Sequence, residues 1–347
     1  MAKLYVFNPE HDLALAANLS NFTSPLAGRK MRHDLGFIPA LWAEDDDFVL
    51  VDDVEKAEIE FEKISKELKL GPKRFVDKHQ LHRIYINKVE PWGWDLALRS
   101  FLIKYGVDAV PAENEIATIR ELSHRRQAAK LLEMLETDGI TGISQEADNI
   151  DEIKLMLYQY GQIVVKAPWS CSGRGVRFIK KTLDDYQEKW IRNIIDKQGS
   201  VMVEPCYNNV KDFGMEFESD GEGNIKYLGL SLFDTRNGAY TGNLIAIEEQ
   251  KLQAMPEELN FKLFEIRDRI CNILGDDFNG KYKGPFGVDM MVVKSDDGEL
   301  LLHPCVEINL RRTMGHVALA IKPFADGVAR IMQITKKENN MVMLFSL

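Results

Sequence analysis

Apolar residues along this chain alternate between two spacings, and the switches between them mark its elements. Ala57, Phe61, Ile64 and Leu68 recur at intervals of four, three and four. That is the period of one helix face, and it predicts a helix over 55–69. Leu259, Leu263, Ile266, Ile270 and Ile273 repeat the pattern later in the chain. Trp92-Gly-Trp-Asp95 opens a helix running to Tyr105, with Leu96, Leu98 and Leu102 as its apolar positions. Ser123 precedes a helix to 135. Thr182 and Asp185 fit a capping box that starts a helix to about 196. A last helix is expected over 313–336.

The other segments have the strand period. Residues 3–7 form a strand that ends at the Asn8-Pro9 break. Residues 163–166 and 176–179 form a hairpin over a Gly/Ser-rich turn, and 201–204 is a further strand. Residues 213–218 and 226–233 pair antiparallel around Asp-Gly-Glu-Gly. Residues 285–293 and 299–308 pair around Ser-Asp-Asp-Gly. Strands alternating with helices indicate a small α/β domain over about the first 115 residues. The 347 residues are enough for two or three subdomains with full cores.

Composition narrows the function classes. A hydrophobic content of 45% is that of an ordinary globular protein. The net charge is −10 with no block of basic residues, which argues against a nucleic-acid partner. The first apolar run is four residues long, and no stretch approaches the roughly 18 of a membrane span. A cytoplasmic protein with no membrane partner is expected. Cys171, Cys206, Cys271 and Cys305 are scattered without a C-x-x-C pair, so they read as reduced thiols, not a zinc site or disulfide framework.

The candidate chemistry lies in three stretches. Lys166 ends an apolar strand, where an unpaired charge is costly, and it precedes Ser170-Cys-Ser-Gly-Arg-Gly175. Gly173 and Gly175, beside Ser170 and Ser172, let backbone N–H groups approach an anion closely. The turn is neither a Walker A motif nor G-x-G-x-x-G. In His303-Pro-Cys-Val-Glu-Ile-Asn-Leu-Arg-Arg, the two-residue step puts Glu307 and Asn309 on one strand face, opposite Val306, Ile308 and Leu310. Asp289 lies on what reads as the neighbouring strand. Two carboxylates and an amide are hard oxygen donors that suit Mg²⁺. Arg311 can steady phosphate oxygens or an oxyanion, while Arg312 is expected to face solvent. His79 and His82 make an incomplete metal site and read as a solvated face.

These elements, in this order, resemble the ATP-grasp superfamily of carboxylate–amine or carboxylate–thiol ligases over roughly residues 116–335. The most specific match is Asp289 followed by Glu307-Ile-Asn309-Leu-Arg311. The resemblance implies a mixed α/β (α+β) architecture: an ATP-grasp fold of two α+β subdomains gripping ATP, preceded by a small α/β domain. The divisions would be 1–115, 116–203 with the glycine-rich loop, and 204–347 with the metal site. By the same resemblance Lys166 and Arg126 contact phosphates, with Arg125 the competing register. Glu204 to Tyr207 bind adenine, and Asp212 lies near the ribose. Asp289, Glu307 and Asn309 hold Mg²⁺, for which Mn²⁺ could substitute. Lys166 and Arg311 are the catalytic cations.

This chain departs from the family pattern at Leu310, where proline is common, and at Trp169 and Cys171 in the loop. The segment 8–16 matches no substrate pattern. Its polar cluster Asn8-Pro-Glu-His-Asp12 comes after the first strand, where open α/β sheets bind ligands, and is expected to contact a substrate. The implied reaction phosphorylates a carboxylate and passes the acyl group to an amine or another nucleophile. The partners are small-molecule or peptide carboxylates and amines, with a homodimer as a compatible assembly. The loops at 168–175 and 235–243, with Trp169 as a closing contact, would exclude water. A phosphotransferase on the same fold, or a nucleotide-binding module without turnover, are the other classes.

Overall fold

Lys3–Val6 (β1) lies at the centre of a parallel sheet with Phe48–Leu50 (β2), Arg74–Val76 (β3) and Lys88–Pro91 (β4), in the order β3-β2-β1-β4. The computed structural model describes residues 2–170, 175–236 and 239–346. The helices of this part are His11–Ala17 (α1), Leu26–Leu35 (α2), Val54–Leu68 (α3) and Leu96–Lys104 (α4). In α3 the stripe Ala57, Phe61 and Ile64 is buried as its spacing requires, and Asp53 caps the helix by accepting from Lys56 N at 3.0 Å. α4 starts four residues later than expected. Trp92 N still bonds to Val6 O at 2.7 Å, continuing the sheet, and Asp95 is the N-cap, accepting from Leu98 N at 2.9 Å.

Glu113–Leu122 (α5) and Arg126–Met134 (α6) lead to a second, antiparallel sheet. Its strands are Gln145–Ala147 (β5), Gln162–Lys166 (β6), Val176–Lys180 (β7) and Val201–Pro205 (β8), in the order β5-β8-β6-β7. Ile150–Tyr160 (α7) and Asp185–Gln198 (α8) cover one face, where Ile163, Val165, Val201 and Val203 are buried against Ile153 and Ile191. Alternation therefore turns Val164, Lys166, Met202 and Glu204 to the other face. The capping box of α8 is made by Asp184 and Gln187, not by Thr182 and Asp185. Asp184 has the extended backbone that an N-cap needs.

The third sheet is antiparallel and has seven strands. They are Asn209–Ser219 (β9), Ile225–Arg236 (β10), Ala239–Ile245 (β11), Gly284–Lys294 (β12), Leu300–Asn309 (β13), Arg330–Lys337 (β14) and Asn340–Ser346 (β15), in the order β13-β12-β9-β10-β11-β14-β15. Phe213, Met215 and Phe217 with Phe286, Val288 and Met290 form one face, packed on Leu263, Ile266 and Ile270 of Asn260–Phe278 (α10), which comes after the short Glu248–Gln253 (α9).

Two expectations fail here. Residues 235–243 are not a free loop: β10 runs to Arg236 and β11 starts at Ala239, with 237–238 outside the described residues. The helix expected over 313–336 ends early, as Met314–Ala320 (α11). Pro323 lacks an amide to donate and would clash with the preceding turn. The chain then enters the β14–β15 hairpin, which supplies the partner that β11 requires, with Gly242 opposite Gln333. These last elements also complete the first sheet's packing. Tyr5, Leu35, Ile38, Phe61 and Phe75 share one apolar cluster with Ile245, Val317, Ile321, Met332 and Met343.

Candidate active site

The strand register assembles the acidic part of the site. Asp289 lies opposite Glu307, and Gly287 opposite Asn309, so all the side chains concerned share the face turned away from α10. Asn309 Nδ2 donates to Asp289 Oδ2 at 2.9 Å, and Arg311 Nη2 donates to Asn309 Oδ1 at 2.9 Å. Arg311 also grips Asp12 of α1 through Nε at 2.9 Å and Nη2 at 2.8 Å. Burial opposes the charge of both partners. Their mutual attraction outweighs it, holding the Asp12 carboxyl below and the Arg311 guanidinium above the ordinary range. Asp289 has no such cation. Burial, then the Glu307 and Glu216 carboxylates, push it up to about 7.

Four groups that sequence reasoning missed, or placed otherwise, complete this cluster. Glu216 is buried between the sheet and α11, 2.9 Å from His316 Nδ1; a Cβ at Gly287 would come within 2.6 Å of its Oε2. Asp12 belongs to the polar segment after the first strand, but nothing local pairs it with a residue 299 positions away. Arg125, not Arg126, reaches the acidic cluster. It donates through Nη2 to Glu307 Oε1 at 2.7 Å, and through Nη1 to Ser170 Oγ at 2.8 Å and to Ala167 O. Consecutive residues entering a helix diverge by about 100°. Arg126 accordingly points elsewhere and pairs with Glu146 at 2.8 Å, beside His124. The fourth is His303, on the second-sheet side of the site.

On that side Lys166 and Glu204 are both buried and ion-paired, with Nζ 2.6 Å from Oε2. Ser144 Oγ adds a bond to Glu204 Oε1 at 3.2 Å. Tyr207 accepts from Ile143 N at 2.7 Å, and burial pushes its hydroxyl up to about 12. His303 lies edge-on to Tyr207, fully buried, with neither ring nitrogen hydrogen-bonded. Burial, then Lys166, push it down to about 3, so it is neutral. Asp212 shares the Asp289 face of the third sheet and accepts from Asn209 Nδ2 at 2.7 Å and Thr235 Oγ1 at 3.1 Å.

In the glycine-rich turn, Ala167 N bonds to Gly175 O at 2.8 Å, and a Cβ at Gly175 would collide with Ser170. Ser172 and Gly173 lie outside the described residues. Trp169 is anchored: its indole N–H donates to Arg120 O at 3.0 Å, and the Arg120 guanidinium lies 3.7 Å over the ring. Arg312 does not face solvent. Its guanidinium lies 4.9 Å over Trp42, and its backbone N–H bonds to Trp92 O at 2.8 Å.

The donor set suits a divalent cation. It offers carboxylate and amide oxygens only, and its surplus negative charge already appears in the raised Asp289. Among the described residues no three His, Cys, Asp or Glu side chains are grouped to hold a metal. Among the described residues no helix is long and apolar enough to cross a membrane.

No family model and no curated protein matches the chain. Solved structures do. A protein assigned to the ATP-grasp superfamily from Archaeoglobus fulgidus aligns over 99% of each chain at 15% identity, with a TM-score of 0.51. N5-carboxyaminoimidazole synthase from Aspergillus clavatus, in complex with ADP and 5-aminoimidazole ribonucleotide, aligns over 96% of this chain and 81% of its own at 14% identity, with a TM-score of 0.51. The chain has the ATP-grasp fold. The β-γ-ATP complex of biotin carboxylase from Campylobacter jejuni also aligns, at 13% identity over 96% of this chain and 76% of its own, with a TM-score of 0.51. Within this fold the second and third sheets supply the two opposed faces. Lys166 and Glu204 stand on one and the Asp289 cluster on the other, and Arg125 joins them.

Proposed function

We propose that the chain is an ATP-dependent ligase that activates a carboxylate as an acyl phosphate and transfers the acyl group to an amine. One observation carries this reading. Asp289, Glu307, Asn309 and Arg311 converge from the third sheet, while Lys166 and Arg125 face them from the second-sheet side. Such a set balances the charge of a triphosphate and of the group leaving it. The nucleotide complexes among the structural relatives support ATP as the ligand. Residues 1–115 would form the preceding domain, 116–203 the subdomain with the glycine-rich loop, and 204–347 the subdomain with the metal site.

A substrate carboxylate oxygen attacks the γ-phosphorus, the bond to the β–γ bridging oxygen breaks, and ADP leaves. The amine then attacks the acyl carbon, phosphate departs, and the amine loses a proton. Lys166, drawn from Glu204 to a phosphate oxygen, and Arg125, with Ser170 beside it, would orient the phosphates. Arg311, held by Asp12, would face the charge that develops on the transferred group. Asp289, Glu307 and Asn309 would hold Mg²⁺, which when bound supplies counter-charge to the phosphates. Glu204 to Tyr207 would border adenine, with Asp212 towards the ribose. The reaction consumes an acid and an amine in equal amounts and yields ADP, phosphate and an amide.

The test is ATP consumption against amino acids, peptides and small carboxylic acids, with mass spectrometry of the products. ADP and phosphate formed together with a new amide, dependent on both substrates, is the expected result. A phosphorylated product that accumulates without ligation would replace this reading with a phosphotransferase.

A further inference from the structure

A cavity of about 600 Å³ opens at the carboxyl ends of the first sheet's strands, with Val6 of β1 and Leu50 of β2 in its wall. In open parallel sheets this is where ligands are held. Glu10, only 7% exposed, lines it. Arg32 Nη1 takes Glu10 Oε1 at 2.8 Å, whereas Oε2 is buried without a hydrogen-bond partner. A buried carboxylate oxygen left unpaired costs free energy that a ligand's donor would recover.

The other carboxylates of the wall are engaged. Asp95 accepts from Leu98 N and Asn8 Nδ2, Asp77 accepts from His79 N, and Asp52 meets Arg32 at 3.5 Å. Arg29 and Lys78 line the same cavity from exposed positions and form no ion pair among the described residues, Lys78 Nζ lying 5.9 Å over the Tyr105 ring. One buried acceptor is thus unanswered and two outer cations lack an anion, around a wall to which Val6, Leu50 and Phe101 add apolar surface.

We infer that this cavity binds a free α-amino acid, with its ammonium on Glu10 and its carboxylate on Arg29 and Lys78. Such a ligand answers both kinds of unpaired group at once; an anion would leave Glu10 worse off, and a simple amine would leave the cations unused. Burial raises the Glu10 carboxyl although Arg32 opposes it, a cost that an ammonium would relieve. Glu10 and Ala14 line this cavity from one side of α1, while Asp12 and Leu15 border the small cleft beside Glu307 and Asn309 from the other. The amino acid would be the amine substrate of the proposed ligase. Only that role rests on the ligase reading; the binding does not.

The test is calorimetry on the full chain without nucleotide or Mg²⁺, using the standard amino acids at millimolar concentration. The best binder is then compared with its N-acetyl derivative, its methyl ester and inorganic phosphate. At least one amino acid should bind, and masking either charge should weaken it by about tenfold or more. Glu10→Gln should weaken it to a similar degree. So should Arg29→Ala, whose exposed, unpaired side chain can be removed without unfolding the chain. Binding by none, equal binding of the masked derivatives, or phosphate binding more tightly than every amino acid would overturn the inference. Amino-acid binding with no ATP-dependent amide formed from the bound amino acid would instead count against the ligase reading.

Discussion

At the scale of single residues, the site balances charge unevenly. Arg311 is shared by Asp12 and Asn309, Arg125 serves Glu307, and Asp289 is left without a cation. Glu307→Gln should therefore abolish MgATP-dependent turnover while leaving the melting temperature nearly unchanged, since it removes a charge and keeps the volume. Near-normal turnover would exclude Glu307 as a ligand. Arg125→Met should cost about 1–3 kcal/mol in urea unfolding, because it strips the buried Ser170 and Ala167 acceptors and Glu307 of their donor. Arg126→Met, at a half-exposed pair, should stay within about 0.5 kcal/mol. Equal costs would undo this assignment.

Acid stability separates two opposed groups. His303, whose folded pKa lies near 3, contributes stability that is complete above its free value and is lost as pH falls through that range. Asp289, raised to about 7, contributes in the opposite sense: its share is complete at low pH and is lost as pH rises through about 7. His303→Gln removes only the first, so the melting temperature of wild type relative to the variant should fall between about pH 7 and pH 5. Parallel profiles would show that His303 is not held neutral. The shared face of Glu307 and Asn309 was legible because a two-residue step is all that a strand face needs. Arg125 was not, because the sequence does not reveal the rotation at which a helix begins.

At the scale of elements, legibility depended on whether the signal was local. The β6–β7 and β12–β13 hairpins carry their own turns and matched their predicted spans closely. β14 and β15 were hidden behind an apolar run that looked helical from Met314 onwards. Their reason to be strands lies in β11, some ninety residues earlier in the chain. The same non-local rule governs α11. In an exposed helix, Gly→Ala stabilises by about 1 kcal/mol through propensity. At Gly315 a Cβ would collide with Glu216 and Ser231, both buried on the sheet beneath. Gly315→Ala should instead destabilise by about 1–3 kcal/mol in denaturant unfolding. A stabilised variant would mean that α11 does not lie this close to the sheet.

At the scale of the whole molecule, the first sheet has one face of its own and one that it shares. Leu4, Val6, Leu50, Val76, Leu98 and Leu102 form a cluster drawn from the first part of the chain alone. The opposite cluster, around Tyr5, Leu35 and Phe75, reaches Val317, Ile321, Met332 and Met343. A fragment of residues 1–115 would leave that second face open to water, and a sheet covered on one side only lacks the burial that makes folding cooperative. The fragment should therefore lack a sharp thermal transition and bind a hydrophobic dye, even though its local helix and strand signals are intact. A cooperative transition with dispersed amide resonances would show that the shared cluster is dispensable. In the full chain, Met343→Ala should cost about 2–5 kcal/mol by opening a cavity in this cluster. Hydrogen exchange should then quicken in β1 and β2 as well as in β14, because the C-terminal hairpin packs on the N-terminal sheet, whose first strand leads into the α1 helix that carries Asp12 to Arg311.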